Sequence, residues 1–157
     1  MKKIVFTLSL LTLSACNEYW WTRGQPPSAK ELVLRAEDRF NLSINERAQT
    51  RADFAPSAQK LKSSLLQTLE ASYKNDNSKN DNSLKESVKA TEMSFIELEG
   101  KMSIGSRAAY GELCNQIRAF ASKADAGENV DPSAFELFTS RSIFFLANEL
   151  KVPAPTF

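Results

Sequence analysis

Residues 83–102 read SLKESVKATEMSFIELEGKM, and this stretch carries the most regular hydrophobic pattern in the chain. The inward positions recur in alternating steps of four and three, at Leu84, Val88, Thr91, Phe95, Leu98 and Met102. Such spacing places side chains on one face of an α-helix. Ser83 followed by Glu86 has the form of a capping box, which opens helices. The stretch therefore predicts an amphipathic helix that ends near Gly100.

Two further helices are predicted upstream of this stretch. Ser28, with a glutamate three residues later, forms a capping box directly after two prolines, so a helix begins there. We expect Asn41 and Leu42 to interrupt it, because Ser43 repeats the capping signature. Apolar residues at helical spacing then predict a helix over 56–73.

Downstream, a similar pattern covers 106–123, and Asp131 followed by Pro132 is a typical helix opening. The last helix is apolar around most of its circumference, so we expect it to be central in the core. Its apolar residues are Phe135, Phe138, Ile143, Phe144, Phe145, Leu146 and Leu150. The predicted fold is all-α: an up-and-down bundle of four to five helices over 28–152, followed by an extended tail at 153–157.

One low-complexity tract interrupts the sequence that is predicted to form the bundle. Residues 74–83 read KNDNSKNDNS, a tandem repeat whose composition cannot bury apolar area, so we expect a disordered loop. Its alternating oxygen-bearing residues resemble a calcium loop. However, Asp81 stands where that loop requires glycine, and Ser87 stands where it requires a bidentate glutamate. No metal site is predicted.

The composition argues against catalysis and against nucleic-acid binding. The chain has no histidine, which is the usual general base and the commonest metal ligand. Lys and Arg total 20 against 19 Asp and Glu, so no basic surface for nucleic acid is indicated. The candidate acid–base carboxylates fall at exposed-looking helix positions: Glu31, Asp38, Glu97 and Glu99. We therefore expect neither an enzyme nor a bound cofactor, and a hydrolase using Ser and Lys without His has no supporting spacing.

The first fifteen residues have the order of an export signal. Lys2 and Lys3 precede about ten mostly apolar residues, and small residues lead directly to Cys16. The apolar run is too short to span a bilayer, which takes about 20 residues. Residues 1–15 are therefore predicted to be a signal peptide.

The end of this segment resembles the lipobox of bacterial lipoproteins. The quartet is Leu13, Ser14, Ala15 and Cys16. The resemblance implies that the first three residues are recognised by the lipoprotein signal peptidase. It also implies a diacylglyceryl group on Cys16, with acyl chains such as palmitate, and anchoring to membrane lipid. Asn17 stands where the inner-membrane retention signal of such lipoproteins has aspartate, so the resemblance favours the outer membrane, facing the periplasm, in a Gram-negative host. A plain secretory signal peptide cleaved nearby is the alternative.

The predicted tether, residues 16–27, contains an aromatic cluster. Tyr19, Trp20, Trp21 and Arg23 suit a membrane headgroup zone, where amphipathic rings and arginine are favoured. A membrane-surface collar of this kind is the simplest interpretation, and simple packing of the rings on the domain is the second. A third is insertion into a partner protein, because tryptophan is enriched at binding hot spots.

Cys114 is the second cysteine of the chain, and it has no partner within the mature protein if Cys16 is lipidated. It lies beside the inward stripe of its helix, so a buried free thiol is the ordinary interpretation. An intermolecular disulfide in an oxidising periplasm is the alternative.

These expectations together favour a non-enzymatic interaction or accessory module of an envelope machine. Its partner would be an envelope protein. The general plan resembles that of pilotins and accessory lipoproteins of secretion or conjugation machines. The alternative is a carrier or sensor of small apolar ligands with a site inside the bundle, which the Phe-rich final helix suggests.

Overall fold

A computed structural model describes residues 26–46, 51–75 and 82–152. Within these ranges the chain forms five α-helices and one short 3-10 turn, and it contains no strand. The helices are α1 (Ala29–Asn45), α2 (Ala55–Asn75), α3 (Asn82–Glu99), α4 (Arg107–Asp125) and α5 (Pro132–Glu149), and the 3-10 turn is Ile104–Ser106. The predicted all-α bundle is confirmed.

Successive helices run in opposite directions. Lys85, near the start of α3, forms a salt bridge of 3.0 Å with Asp125 at the end of α4. Alternation over five helices leaves α1 and α5 parallel, and these two share the most extensive helix contact. Arg39 of α1 donates to Asn148 of α5 at 3.2 Å, so both C-terminal halves lie side by side. The first and last helices are thus paired in the folded chain.

The core is centred on α5, which packs against α1, α2 and α4. Phe138 contacts three aromatic rings, with centroid separations of 5.7 Å to Phe95, 5.5 Å to Phe120 and 5.7 Å to Phe135. Separations in this range are typical of aromatic pairs that add to apolar burial. The expected central position of the last helix is confirmed, although Phe144 is 45% exposed.

The predicted interruption at Asn41 and Leu42 is wrong. Helix α1 is continuous across both residues, because Phe40 and Ser43 continue its buried face. The Ser43 hydroxyl donates to the Arg39 carbonyl at 2.9 Å, a bond within the helix. A serine that resembled a helix start is therefore a buried interior residue.

The helices also extend into both ends of the tract predicted as a loop over 74–83. Helix α2 continues to Asn75 and α3 begins at Asn82. The middle of the tract, 76–81, lies outside the described residues, as does the predicted tail at 153–157. The helical boundaries reflect the apolar faces of α2 and α3, which extend close to the tract.

Candidate functional site

The residues predicted for lipidation and the aromatic cluster of the tether lie outside the described residues, which begin at Pro26. These residues are Leu13, Ser14, Ala15, Cys16, Tyr19, Trp20, Trp21 and Arg23. What the structure does define is the point at which the tether joins the bundle. The Ser28 hydroxyl accepts from the Glu31 amide at 3.2 Å, as a helix cap should. The chain thus enters at the end where α1 and α5 begin, which we call the near end.

A groove open to solvent lies at this near end, between α1, α2 and the start of α5. Its volume is about 490 Å³, within the range of small-ligand sites. We call it the near-end groove, and it is lined by Lys30, Val33, Leu34, Leu66, Leu69, Glu70, Tyr73 and Glu136. Leu34 is 54% exposed there.

The polar edge of the near-end groove is organised by one hydrogen bond. The Tyr73 hydroxyl donates to the Glu136 carboxylate at 2.8 Å. This bond to Glu136 is the main reason that the pKa of Tyr73 is raised above its ordinary value, with burial adding to the effect. Glu136 itself is only 6% exposed. The groove therefore combines an apolar wall with a carboxylate fixed at its edge.

A second groove, of about 680 Å³, runs along the outer side of the α2–α3 hairpin. We call it the hairpin groove, and it is lined by Lys60, Ser63, Ser64, Gln67, Ala90, Met93, Ser94, Ile96 and Glu97. Met93 and Ile96 are 69% and 48% exposed. Lys60 and Glu97 form a salt bridge of 2.6 Å across it. Apolar side chains therefore stand beside small serine and alanine positions on this surface.

Hydroxyl groups hold the two helices of this hairpin together. The Thr91 hydroxyl lies 2.8 Å from that of Ser64 and 2.9 Å from that of Thr68. Thr68 also donates to the Ser87 carbonyl at 3.0 Å. Buried polar groups that are satisfied in this way specify one register between two helices. The hairpin groove thus has a well-defined base.

A buried charged network occupies the opposite, far end of the bundle. Arg51, before α2, donates to Glu149 of α5 at 3.0 Å, and their side chains are 3% and 1% exposed. Glu149 also accepts from the Ser103 amide at 2.7 Å and from the Ser106 hydroxyl at 2.6 Å. One carboxylate therefore joins the approach to α2, the α3–α4 connection and the end of α5.

Arg51 makes further contacts at this end. It donates to the Lys101 carbonyl at 2.8 Å and to the Asp53 carboxylate at 3.1 Å. The hydrogen bond from Arg51 is the main cause that holds the pKa of Asp53 below its ordinary value. The guanidinium also lies 5.1 Å from the ring centroid of Phe54. The positive charge of Arg51 therefore interacts with groups of the protein itself.

The carboxylates considered for acid–base chemistry lie on two different helices, Glu31 and Asp38 on α1 and Glu97 and Glu99 on α3. Glu31 pairs with Arg35 of its own helix at 2.6 Å. Glu31 and Arg35 thus form an exposed ion pair within one helix, as is typical of a helix surface.

Cys114 is a buried free thiol, 3% exposed. Burial is the main reason that its pKa is raised, with Glu99 adding to the effect and Arg118 opposing it. An intermolecular disulfide stays a prediction, and forming one would require α4 to expose this residue.

Sequence reasoning missed Arg51 and Glu149 because charged residues are expected on the surface. A signal for Glu149 was present. Glu149 lies three residues after Leu146 and therefore on the buried side of α5, where a carboxylate requires a partner. Nothing local to Arg51 identifies it as that partner.

Within the described ranges, no helix is long and apolar enough to cross a membrane. Nor do three or more Cys, Asp or Glu side chains from this part of the chain come together where they could hold a metal ion. In comparisons with known proteins, no protein-family model, no curated protein and no solved structure matches the chain.

Proposed function

We propose that this chain is a membrane-tethered, non-enzymatic interaction module of the bacterial envelope. Lipid on Cys16 would hold it to the periplasmic side of the outer membrane. The bundle would bind an envelope protein of a secretion-type or conjugation-type machine through the hairpin groove.

The observation that carries this proposal is the exposure of Met93 and Ile96 along the hairpin groove. Contiguous apolar surface with a polar rim is a feature of sites that contact other molecules, and the Lys60–Glu97 salt bridge lies beside these two side chains. Methionine adapts its shape to the partner and is frequent at binding surfaces. The small Ser63 and Ala90 positions leave room for the backbone of a partner helix to approach. We therefore assign a helical segment with an apolar face as the partner element.

The rigidity of the hairpin supports the same conclusion. The Ser64–Thr91–Thr68 hydroxyl contacts hold α2 and α3 in register, so little ordering is required when a partner binds. The alternative, a carrier of small apolar ligands inside the bundle, gains no support from the two grooves. Both are open to solvent at the surface between helices.

The anchor is tested by replacing Cys16 with serine in the exported protein. We expect wild type to take up labelled palmitate and to sediment with outer-membrane vesicles. The Cys16→Ser protein should do neither, because the thiol that would carry the lipid is absent. Equal sedimentation of the two proteins would contradict the proposed lipid anchor.

The interaction surface is tested separately, by affinity capture of the anchored protein from detergent-extracted envelopes. We expect a defined protein to be retained by wild type and lost with Met93→Glu. The matched control is Leu42→Glu, because Leu42 is an exposed leucine of α1 that does not line the hairpin groove. Equal retention by all three proteins, or loss with the control as well, would contradict an interaction through this groove.

A further inference from the structure

We propose that Trp20 and Trp21 fold back onto the bundle and dock in the near-end groove. The occupant is thus a segment of this same chain, rather than a separate ligand. The inference goes beyond the function proposed above because it applies equally to a chain without lipid. It rests on three features of the near end: the length of the tether, the apolar wall of the groove and the charges at its edge.

The length of the chain permits this docking. Trp21 precedes Pro26, the first described residue, by five positions, which span at most about 18 Å when fully extended. Leu34, on the groove wall, lies five residues into α1 from Ala29, or about 7.5 Å along the helix axis. The backbone at Ser28 is extended, with φ −64° and ψ 157°. The tether therefore joins the bundle within its own reach of the groove.

The lining of the groove suits aromatic side chains. Val33, Leu34, Leu66 and Leu69 form an apolar wall, and the volume of about 490 Å³ accommodates indole rings. Burying a tryptophan there would remove apolar surface of both the ring and Leu34 from water. The wall is thus complementary to the aromatic cluster of the tether.

The edge of the groove suits the polar groups of the same segment. An indole N–H is a donor with no acceptor capacity, and the Glu136 carboxylate, which already accepts from Tyr73, has further lone pairs. Two carboxylates and one ammonium line the groove: Glu70, Glu136 and Lys30. Glu70 is already paired with Lys74 at 2.7 Å, so the Glu136 carboxylate is the group at this edge that is complementary to Arg23 of the tether.

Docking would also orient the bundle. The near end would be held beside Cys16, and the far end, with the Arg51–Glu149 network, would lie about 27 Å away along the 18-residue α5. The tether would then act as a fixed spacer, with the lipid at one end of the bundle.

Tryptophan fluorescence tests the proposal directly, because Trp20 and Trp21 are the two tryptophans of the chain. The sample is the chain from residue 16 to residue 157 carrying Cys16→Ser, so that no lipid is attached. In the absence of vesicles, we expect emission shifted to shorter wavelength than in the urea-unfolded chain, together with weak quenching by acrylamide. Leu34→Glu should shift the emission towards the unfolded value and increase the quenching.

Leu42→Glu is the matched control, since it makes the same change at an exposed leucine of the same helix, 62% against 54% exposed. Far-ultraviolet circular dichroism verifies that both variants are folded, and Tyr73→Ala probes the opposite side of the groove if Leu34→Glu does not fold.

Solvent-like emission from the folded wild-type chain would overturn the proposal. The proposal would also be overturned if the tryptophans of the wild-type chain are buried but neither Leu34→Glu nor Tyr73→Ala changes their emission or their quenching. A shift that appears only when vesicles of phosphatidylethanolamine and phosphatidylglycerol are added would assign the cluster to the membrane surface and also overturn it.

Discussion

Arg51 and Glu149 form a buried ion pair, 3.0 Å apart in space and 98 residues apart in the chain. The pair closes the far end of the bundle, because the same carboxylate accepts from Ser103 and Ser106. Charges that are removed from water are tolerated only when they are paired and hydrogen-bonded. The stability of this end therefore depends on every partner being present.

Replacing Glu149 with alanine should destabilise the protein by about 3 to 5 kcal/mol, because Arg51 would be left as an uncompensated buried charge. Urea unfolding followed by circular dichroism measures the change. Glu97→Ala is the control, since it breaks an ion pair whose side chains are 63% and 48% exposed. Similar losses in the two variants would contradict the special role of the buried pair.

Replacing Thr139 with valine should leave stability unchanged or raise it by about 1 kcal/mol. The Thr139 hydroxyl is buried and has no hydrogen-bond partner among the described residues, and valine has nearly the same shape. Thr91→Val is the matched comparison. It should destabilise by about 1 to 3 kcal/mol, because the partners of its hydroxyl on Ser64 and Thr68 would lose a bond. If thermal unfolding shows that Thr139→Val destabilises the protein more than Thr91→Val does, this ranking is refuted.

Stability should fall as the pH rises above about 9 to 10. Burial raises the pKa of Cys114 above its ordinary value of 9.0. Burial, aided by Cys114 and Glu99, likewise raises the pKa of Tyr110 above 10.0. Below those ordinary values both groups are protonated in the folded and unfolded chains. Above them the unfolded chain loses protons that the folded chain retains, so the free energy of unfolding decreases.

Tyr110→Phe tests this dependence. The wild-type free energy of unfolding should decline between about pH 9 and about pH 11, with Tyr110 contributing up to about 1.4 kcal/mol per pH unit. The variant should show a shallower decline. At neutral pH it should lose about 1 kcal/mol, because the hydroxyl donates to the Phe95 carbonyl at 2.7 Å. An alkaline slope that the substitution leaves unchanged would exclude Tyr110 as its source.

Asp131→Ala should destabilise the protein by about 1 kcal/mol. The Asp131 carboxylate accepts from the Ser133 amide at 3.1 Å and from the Ala134 amide at 3.3 Å, which caps α5. Asp131→Asn is the control, because asparagine caps helices about as well as aspartate. Chemical unfolding should therefore rank the alanine variant below both wild type and the asparagine variant.

Much of the fold could be predicted because its signals are local. The stripe from Leu84 to Met102 and the Asp131–Pro132 start each depend on residues within four positions along the chain, so spacing and capping identify the helix. The interruption predicted at Asn41 and Leu42 was wrong for the converse reason. A capping pattern there competes with the tertiary burial of Phe40, which keeps α1 continuous.

The sequence by itself determined most of the helices and their buried faces, because these features follow from short-range pattern and composition. The lipid-bearing terminus stays a prediction from the same kind of pattern. Only the tertiary structure decided that α1 lies parallel to α5, that Arg51 meets Glu149 and that the near-end groove and the hairpin groove lie open between the helices. Helical periodicity specifies which face is apolar but not which helix covers it. A contact across 98 residues arises only when the packing of all five helices is satisfied together.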